Sequence, residues 1–344
     1  MSYSQDILKA SNIDVPWETL SGSNILVTGA TGLIGSCIIE VLMAHEQRNY
    51  NVFAMGRNSE RMNKLFSKFM SKDGFHAIIG DVTEELKYDL PFHFIIHAAS
   101  CAAPLDFSSH PVEVMKANIL GTSNLIEYGL RHELRRFLYV SSGEVYGEGD
   151  GRIFTEEYSG YVDSTSPRSC YPSSKRAAET LCVSYSAEYG TDVVIARPCH
   201  IYGPKFTEND NRVYAQFIRN ILNDEDIIMK STGSQYRSWC YVVDCVTALL
   251  IILMRGERGQ AYNIADQTSN ISIKELAEMI ANLAGKKVVI ELPSNSEKAG
   301  YNVVSKSVYS TDKLQSLGWS CINDFRTNII NTVSECQHFL LGNS

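Results

Sequence analysis

The chain has 344 residues, 44% hydrophobic and 20% charged, a balance that gives an ordinary globular core without staples. Its formal net charge of −8 speaks against a nucleic-acid partner, because neutralising phosphates takes clustered Lys and Arg. Nine cysteines, an odd number scattered without metal-ligand spacing, exclude a complete disulfide framework and read as neutral thiols in a reducing compartment.

Residues 1–22 read as an N-terminal extension. Asp6, Asp14 and Glu18 interrupt any apolar run of signal-peptide length. Asn24–Val27 is a short apolar run ending in Thr28-Gly29, followed by a helical pattern through Ile38, Val41 and Leu42. Between them lies Gly29-Ala30-Thr31-Gly32-Leu33-Ile34-Gly35. Glycines here permit a tight turn and bring backbone N–H groups to a pyrophosphate at the helix N-terminus, so Gly29, Thr31, Gly32, Leu33, Ile34 and Gly35 are candidate dinucleotide contacts. The bland alternative is a tight strand–helix turn with no ligand.

A second strand, Val52–Met55, ends in Gly56-Arg57-Asn58. Arg57 suits either the 2′-phosphate of NADP or stacking on the adenine of NAD. The run Ala77–Ile79 leads to Gly80-Asp81-Val82, where Asp81 either accepts from an adenine amino group or caps a helix. Phe94–Ile96 leads to His97-Ala98-Ala99, and a helix is predicted over Pro111–Arg131. Phe137–Val140 leads to Ser141-Ser142-Gly143-Glu144, which offers a hydroxyl and a carboxylate at the carboxyl edge of a sheet. Tyr171 and Lys175 stand four apart at the start of a helix predicted over Ser173–Tyr189, so both face one way. An ammonium beside a phenol favours tyrosinate, which takes a proton from a substrate hydroxyl while hydride leaves for a nicotinamide. Val193–Ala196 is a further strand. These runs are continuous rather than alternating, which predicts a doubly wound parallel sheet, a Rossmann-type α/β fold.

After Pro198 the texture changes, and Gly, Pro, Asn and Asp crowd residues Tyr202 to Arg212. The expected division is 1–198, mainly dinucleotide-binding, and 199–344, a smaller lobe with some return to the sheet. Val246–Met254 is too short to span a bilayer and reads as a buried helix; Leu292–Val304 reads as a loop. Neither membrane nor nucleic acid is expected as a partner, and the protein is expected to be cytosolic. His97 and His200 lack carboxylate or Cys at ligand spacing, so no metal is expected. Apolar residues on more than one face of Pro111–Arg131, among them Val114, Ile119, Leu125 and Ile126, predict a homodimer joined through helices.

In this order and spacing, Gly-x-x-Gly-x-x-Gly, His97-Ala98-Ala99, the Ser-rich strand end and Tyr-x-x-x-Lys resemble the extended short-chain dehydrogenase/reductase family. Arg197-Pro198 to Tyr202-Gly203-Pro204, and Arg237 to Tyr241-Val242-Val243-Asp244, resemble its nucleotide-sugar branch, and the likeness runs from about Asn24 to Trp319. It implies Ser142 and Tyr171 at the substrate 4-hydroxyl and Lys175 on the nicotinamide ribose. It also implies a second lobe gripping the nucleotide diphosphate, with His200, Arg212 and Arg237 as substrate contacts. Pro167-Arg168-Ser169-Cys170-Tyr171, Asn211-Arg212-Val213 and Gln235-Tyr236-Arg237 are similar to UDP-glucuronate decarboxylases. Glu144 is shared with nucleotide-sugar 4,6-dehydratases. The chain departs at Gly143, where decarboxylases carry Ser and many dehydratases an acid, at His200, where Asn is usual, and at Arg57, where an Asp usually binds the adenosine ribose. The resulting expectation is an NAD enzyme, with NADP open through Arg57, acting on a nucleotide-sugar through a 4-keto intermediate. Glu144 is its acid/base at C5. The alternatives are a 4,6-dehydratase or 4-epimerase and, from another class, a non-catalytic dinucleotide sensor or scaffold.

Overall fold

A computed structural model describes residues 2–101, 104–206, 210–291 and 306–341; the loop predicted over Leu292–Val304 lies outside them. The strands are β1 (Asn24–Thr28), β2 (Asn51–Gly56), β3 (Phe75–Ile79), β4 (Phe94–His97), β5 (Arg136–Val140), β6 (Val193–Pro198), β7 (His200–Tyr202), β8 (Ile227–Met229), β9 (Tyr236–Tyr241), β10 (Ala261–Ile264), β11 (Asp266–Ser272), β12 (Val288–Ile290) and β13 (Lys306–Ser307). The helices are α1 (Tyr3–Ala10), α2 (Leu33–Ala44), α3 (Ser59–Phe66), α4 (Pro104–Ser109), α5 (Pro111–Arg131), α6 (Cys170–Tyr189), α7 (Val213–Leu222), α8 (Val242–Arg255), α9 (Ile273–Leu283), α10 (Asp312–Gln315) and α11 (Phe325–Leu341).

Seven strands form one sheet in the order β10-β6-β5-β4-β1-β2-β3, and every neighbouring pair is parallel. All four residues of β4, and Phe137 to Val140 of β5, are buried. Helices cover both faces, which is why these strands read as unbroken apolar runs. From β1 the chain moves outward to β2 and β3, then returns to place β4 on the other side of β1. That reversal makes β1/β4 the switch point, where an open α/β sheet gapes at its carboxyl edge. Beyond β6, the strand β10 rejoins this sheet, while β11, β9 and β13, with β7 against β9, form a second, smaller one.

The helices follow their sequence signals. α5 opens on Pro111, and α6 closes on Gly190 in the left-handed conformation at φ 75°. α6 begins at Cys170, earlier than the predicted Ser173, so Tyr171 lies inside its first turn. The apolar stretch at Val246–Met254 belongs to α8, which is buried from Val242 to Leu253. Among the described residues no helix is long and apolar enough to cross a membrane. Val114, Leu125 and Ile126 of α5 turn out to be buried within the chain itself; Val112, Met115, Leu120 and Leu130 are the large exposed apolar side chains there.

The N-terminal extension is part of the core. Ser2 and Gln5 cap α1 reciprocally, and Tyr3, Asp6, Ile7 and Ala10 are buried. Asp6 accepts from Asn323 Nδ2 (2.8 Å), Asn331 Nδ2 (2.7 Å) and Tyr241 Oη (3.3 Å). Tyr3 Oη donates to Glu40 Oε2 of α2 (2.8 Å), whose other oxygen receives Lys68 (3.0 Å) and Lys205 (2.6 Å).

Candidate active site

Because the sheet is parallel, its carboxyl edge gathers the residues that follow each strand. At β1/β4 the approach is close. Gly29 has φ +66°, and a Cβ on it would sit 2.6 Å from the Ala98 carbonyl oxygen. A Cβ on Gly35 would run into the Gly29 carbonyl, so helix and turn touch only because residue 35 has no side chain. Gly32 is the N-cap of α2 and supplies no side chain, which leaves the N–H groups of Leu33 and Ile34 to the crevice. This is a cradle that side chains would fill, and it fits a dinucleotide pyrophosphate. One strand further out, Arg57 Nη1 stands 3.6 Å from Asp81 Oδ2. Asp81 also accepts from Thr83 N–H and Oγ, each at 2.9 Å, which with Arg57 hold its carboxyl below the usual range despite some burial. Val82 packs beneath, against Gly121 of α5. His97 is fully buried, its Nδ1 2.8 Å from Thr28 Oγ1, and burial with Lys175 nearby pushes its pKa down to about 3. It is a core residue.

On the other side of the switch point, Ser142, Glu144, Tyr171 and Lys175 come together. Ser142 is extended and its Oγ accepts from the Glu144 N–H (3.2 Å), starting the turn Gly143–Tyr146. Tyr171 is buried, stacked on Phe107 with ring centres 4.6 Å apart. Lys175, also buried, donates to the Val140 carbonyl (2.8 Å), with its Nζ 4.8 Å from the Tyr139 ring centre and 5.7 Å from that of Tyr171. The expected lowering of the Tyr171 pKa is absent. Burial pushes it up to about 12 against the opposing Ser142 hydroxyl. Burial likewise pushes Lys175 down to about 7, opposed by Glu179. The Lys175 side chain is tied to the strand end, and desolvation is the largest influence on both groups.

The frame behind these groups is an ionic one. Ser141 Oγ donates to Glu179 Oε1 (2.6 Å), Arg197 grips both Glu179 oxygens (3.0 and 2.7 Å), and Arg197 Nη1 reaches Tyr146 Oη (3.0 Å). It locks β5, α6 and β6 together and so fixes Ser142 relative to Tyr171. Three residues given no role by the sequence reading also join the site. Arg168 Nη2 donates to the Glu144 carboxylate and its guanidinium lies over Phe107; Tyr309 rests on Gly143. Arg168 lay inside a recognised motif, whereas Phe107 and Tyr309 had no local signal.

The smaller sheet brings up the rest. His200 lies beside Trp239, and its Nε2 accepts from Arg237 Nη1 at 3.1 Å. Burial, with Arg237 adjacent, pushes its pKa down to about 3, so a neutral ring faces the cation. Arg237 is itself held below the ordinary guanidinium range by burial, with Glu144 opposing. Arg212 is clamped by Asp210 (Nη2–Oδ2 2.5 Å) and also donates to the Ile201 carbonyl (3.2 Å) and Tyr214 Oη (3.0 Å). Among the described residues no group of three His, Cys, Asp or Glu is arranged for a metal ion.

A glycine cradle at the switch point, with a phenol, an ammonium and a hydroxyl at the same edge, defines a dinucleotide-dependent enzyme of the Rossmann class. The chain belongs to the NAD dependent epimerase/dehydratase family, whose model matches residues 25–265, and its cofactor is NAD. Over 277 residues it is 35% identical to UDP-glucuronic acid decarboxylase 6 of Arabidopsis thaliana, covering 80% of this chain and 78% of that one. Over 276 residues it is 33% identical to UDP-glucuronic acid decarboxylase 1 of Xenopus tropicalis, covering 79% and 63%. Solved structures share the fold. An epimerase of Methanothermobacter thermautotrophicus superposes with a TM-score of 0.81 at 21% identity, over 97% of this chain and 96% of that one. The dTDP-glucose 4,6-dehydratase of Bacillus anthracis, in complex with NAD, gives 0.76 at 21% identity, over 91% and 96%.

Proposed function

We propose that this chain acts on a nucleotide-sugar in the manner of a UDP-glucuronate decarboxylase, oxidising C4 and working through a 4-keto sugar. One observation carries the reading. The Glu144 carboxylate, held by Arg168, shares a crevice with Ser142 and Tyr171 in a chain whose curated relatives are UDP-glucuronic acid decarboxylases. Bound NAD would supply the hydride acceptor for C4, resting on Gly29, Thr31, Gly32, Leu33, Ile34 and Gly35, with Arg57, Asp81, Val82 and Ala98 at its adenosine and Lys175 at its nicotinamide ribose. The chain's own residues handle protons. Ser142 orients the 4-hydroxyl, and Tyr171, as the tyrosinate left once its own proton has passed to solvent, takes the hydroxyl proton. A ketone at C4 lets C5 lose its carboxylate as carbon dioxide, the electron pair of that bond passing to the 4-keto oxygen as an enolate, and Glu144 passes a proton drawn from solvent to that carbon. His200, Arg212 and Arg237 contact the substrate from the smaller lobe, which holds the nucleotide diphosphate, so residues 1–198 serve mainly the dinucleotide and 199–344 mainly the sugar nucleotide.

A 4-epimerase is the second reading, favoured by the Arg168–Glu144 pair, which occupies a carboxylate that epimerisation does not need at C5. A 4,6-dehydratase is less well supplied, because Gly143 offers no acid. A sensor has no use for Ser142, Glu144, Tyr171 and Lys175 gathered at one edge. Mass spectrometry after incubation with UDP-glucuronate separates these. Loss of carbon dioxide supports the decarboxylase, an isomer of unchanged mass the epimerase, and no conversion of any UDP-, dTDP-, CDP- or GDP-sugar the sensor. The working form is a cytosolic homodimer. Val112, Leu120 and Leu130 of α5 and Val183 of α6 are exposed apolar side chains that a second copy would cover. Light scattering at micromolar concentration checks the mass, and a monomer removes this part.

A further inference from the structure

Gly143 directly follows Ser142, and a side chain there has no room. A Cβ would lie 2.3 Å from Tyr309 Oη and 2.6 Å from both Cε1 and Cζ. The hydroxyl end of a tyrosine from the far end of the chain therefore occupies the place that position 143 leaves open. It is held firmly. The Tyr309 N–H donates to Ser238 Oγ (3.2 Å), and its ring packs on Tyr146 and Phe154 with centres 5.8 and 5.4 Å away. Ser307, on β13 beside Arg237, donates to Tyr309 Oη (2.8 Å).

Because Oη accepts from Ser307, the phenol's own proton is directed elsewhere, and among the described residues it has no acceptor. Glu144 and Arg237 both lie within electrostatic reach of it, and its contact with Gly143 puts it beside the Ser142–Glu144 turn, on the side of the crevice where the sugar would lie. Burial pushes the phenol pKa well above its ordinary value, which keeps the group a neutral donor. An acidic sugar entering here would be repelled by Glu144. Arg168 and Arg237 offset that charge, and a phenol O–H can orient a carboxylate without neutralising it.

We propose that Tyr309 is a specificity and positioning residue whose hydroxyl replaces the missing side chain at Gly143 and donates to the carboxylate on C5 of the substrate sugar. This rests on the decarboxylase reading above. The test compares the holoenzyme with Tyr309→Phe, which keeps the ring on Gly143, by calorimetry with UDP-glucuronate, UDP-glucose and UDP. Affinity for UDP-glucuronate should fall about tenfold in Tyr309→Phe, the effect of one hydrogen bond to a charged group, while UDP-glucose and UDP stay within about twofold. An unchanged melting temperature shows that the fold is intact. No change in UDP-glucuronate affinity, or an equal loss for all three ligands, overturns the proposal. To hold the size of the site constant, Gly143→Ser combined with Tyr309→Ala returns a hydroxyl to position 143. It should recover UDP-glucuronate binding relative to Tyr309→Ala alone, and failure to do so also overturns the proposal. If the parent binds UDP-glucose and UDP but neither binds nor converts UDP-glucuronate, the decarboxylase reading falls. A Tyr309→Phe effect confined to sugar over bare nucleotide would then keep the residue at the sugar while removing its carboxylate partner.

Discussion

Arg168 Nη2 stands 3.3 and 3.4 Å from the two oxygens of Glu144, while the same guanidinium lies 4.6 Å from the ring centre of Phe107, on which Tyr171 stacks. The acid/base candidate and the phenol are thereby braced by one side chain. Glu144→Gln keeps size and hydrogen bonding but removes the charge. In the decarboxylase reading it lets C4 oxidation begin, seen as absorbance near that of NADH, while product formation stalls. Full turnover by Glu144→Gln would sink the decarboxylase and dehydratase readings together and promote the epimerase. Arg168→Met should slow both stages, because the Phe107–Tyr171 stack loses its cover.

Tyr171→Phe removes the hydroxyl that meets the 4-hydroxyl. C4 oxidation should fall by roughly 10²–10⁴-fold, the range of a general acid–base group. Stopped-flow absorbance of cofactor reduction measures it directly. A loss under about threefold would move proton abstraction to another residue.

Cofactor choice turns on Arg57. Its Nη1 is 3.6 Å from Asp81, so its charge is already matched and a 2′-phosphate would have to compete for it. NAD should bind more tightly than NADP by calorimetry. NADP binding tenfold tighter, about 1.4 kcal/mol, would reverse the assignment, and Arg57→Ala should then erase that preference.

Stability should carry a pH signature from Asp244 in the first turn of α8. Its carboxylate accepts from the Ile322 N–H (2.6 Å) and Asn328 Nδ2 (2.8 Å), yet burial, with repulsion from Asp266 and Asp6, raises its pKa from 3.8 to about 7. Between those values the folded chain keeps a proton that the unfolded chain has released. Stability from this group is therefore fully present below about pH 4 and declines as pH rises to about 7. Denaturant unfolding of Asp244→Asn should show a weaker decline between pH 5 and pH 7, by on the order of 1–2 kcal/mol. An identical slope in both proteins would show that Asp244 is ionised throughout.

Much of this architecture was legible because it is local. The continuous runs in β1, β2, β4 and β5 betray burial on both faces, and Gly29 and Gly35 mark contacts that only glycine permits. Tyr171 and Lys175 were visible through their helical spacing. What stayed hidden depends on residues far apart in sequence. Tyr309 meets Gly143, and Arg197 meets Glu179 and Tyr146, with no periodicity to announce either meeting. The pKa of Tyr171 was misjudged for the same reason. A neighbouring lysine can be read from spacing, but the desolvation that raises the phenol belongs to the assembled core. In α1 an aspartate at position 6 reads as a surface residue until Tyr241, Asn323 and Asn331 arrive around it.

That last arrangement reverses the usual hierarchy of local opening. First and last helices ordinarily fray, exchanging amide protons long before the core does. Here α1 cannot lift away without stripping a buried carboxylate of donors from β9 and α11 and releasing Tyr3 from Glu40. Because Glu40 also receives Lys205, just past the β7 crossing into the second sheet, the same event would loosen the cradle helix from the segment beyond it. The two ends of the described chain thus act as a clasp across the back of the sheet. Peeling back the first helix would belong to global unfolding rather than to fraying.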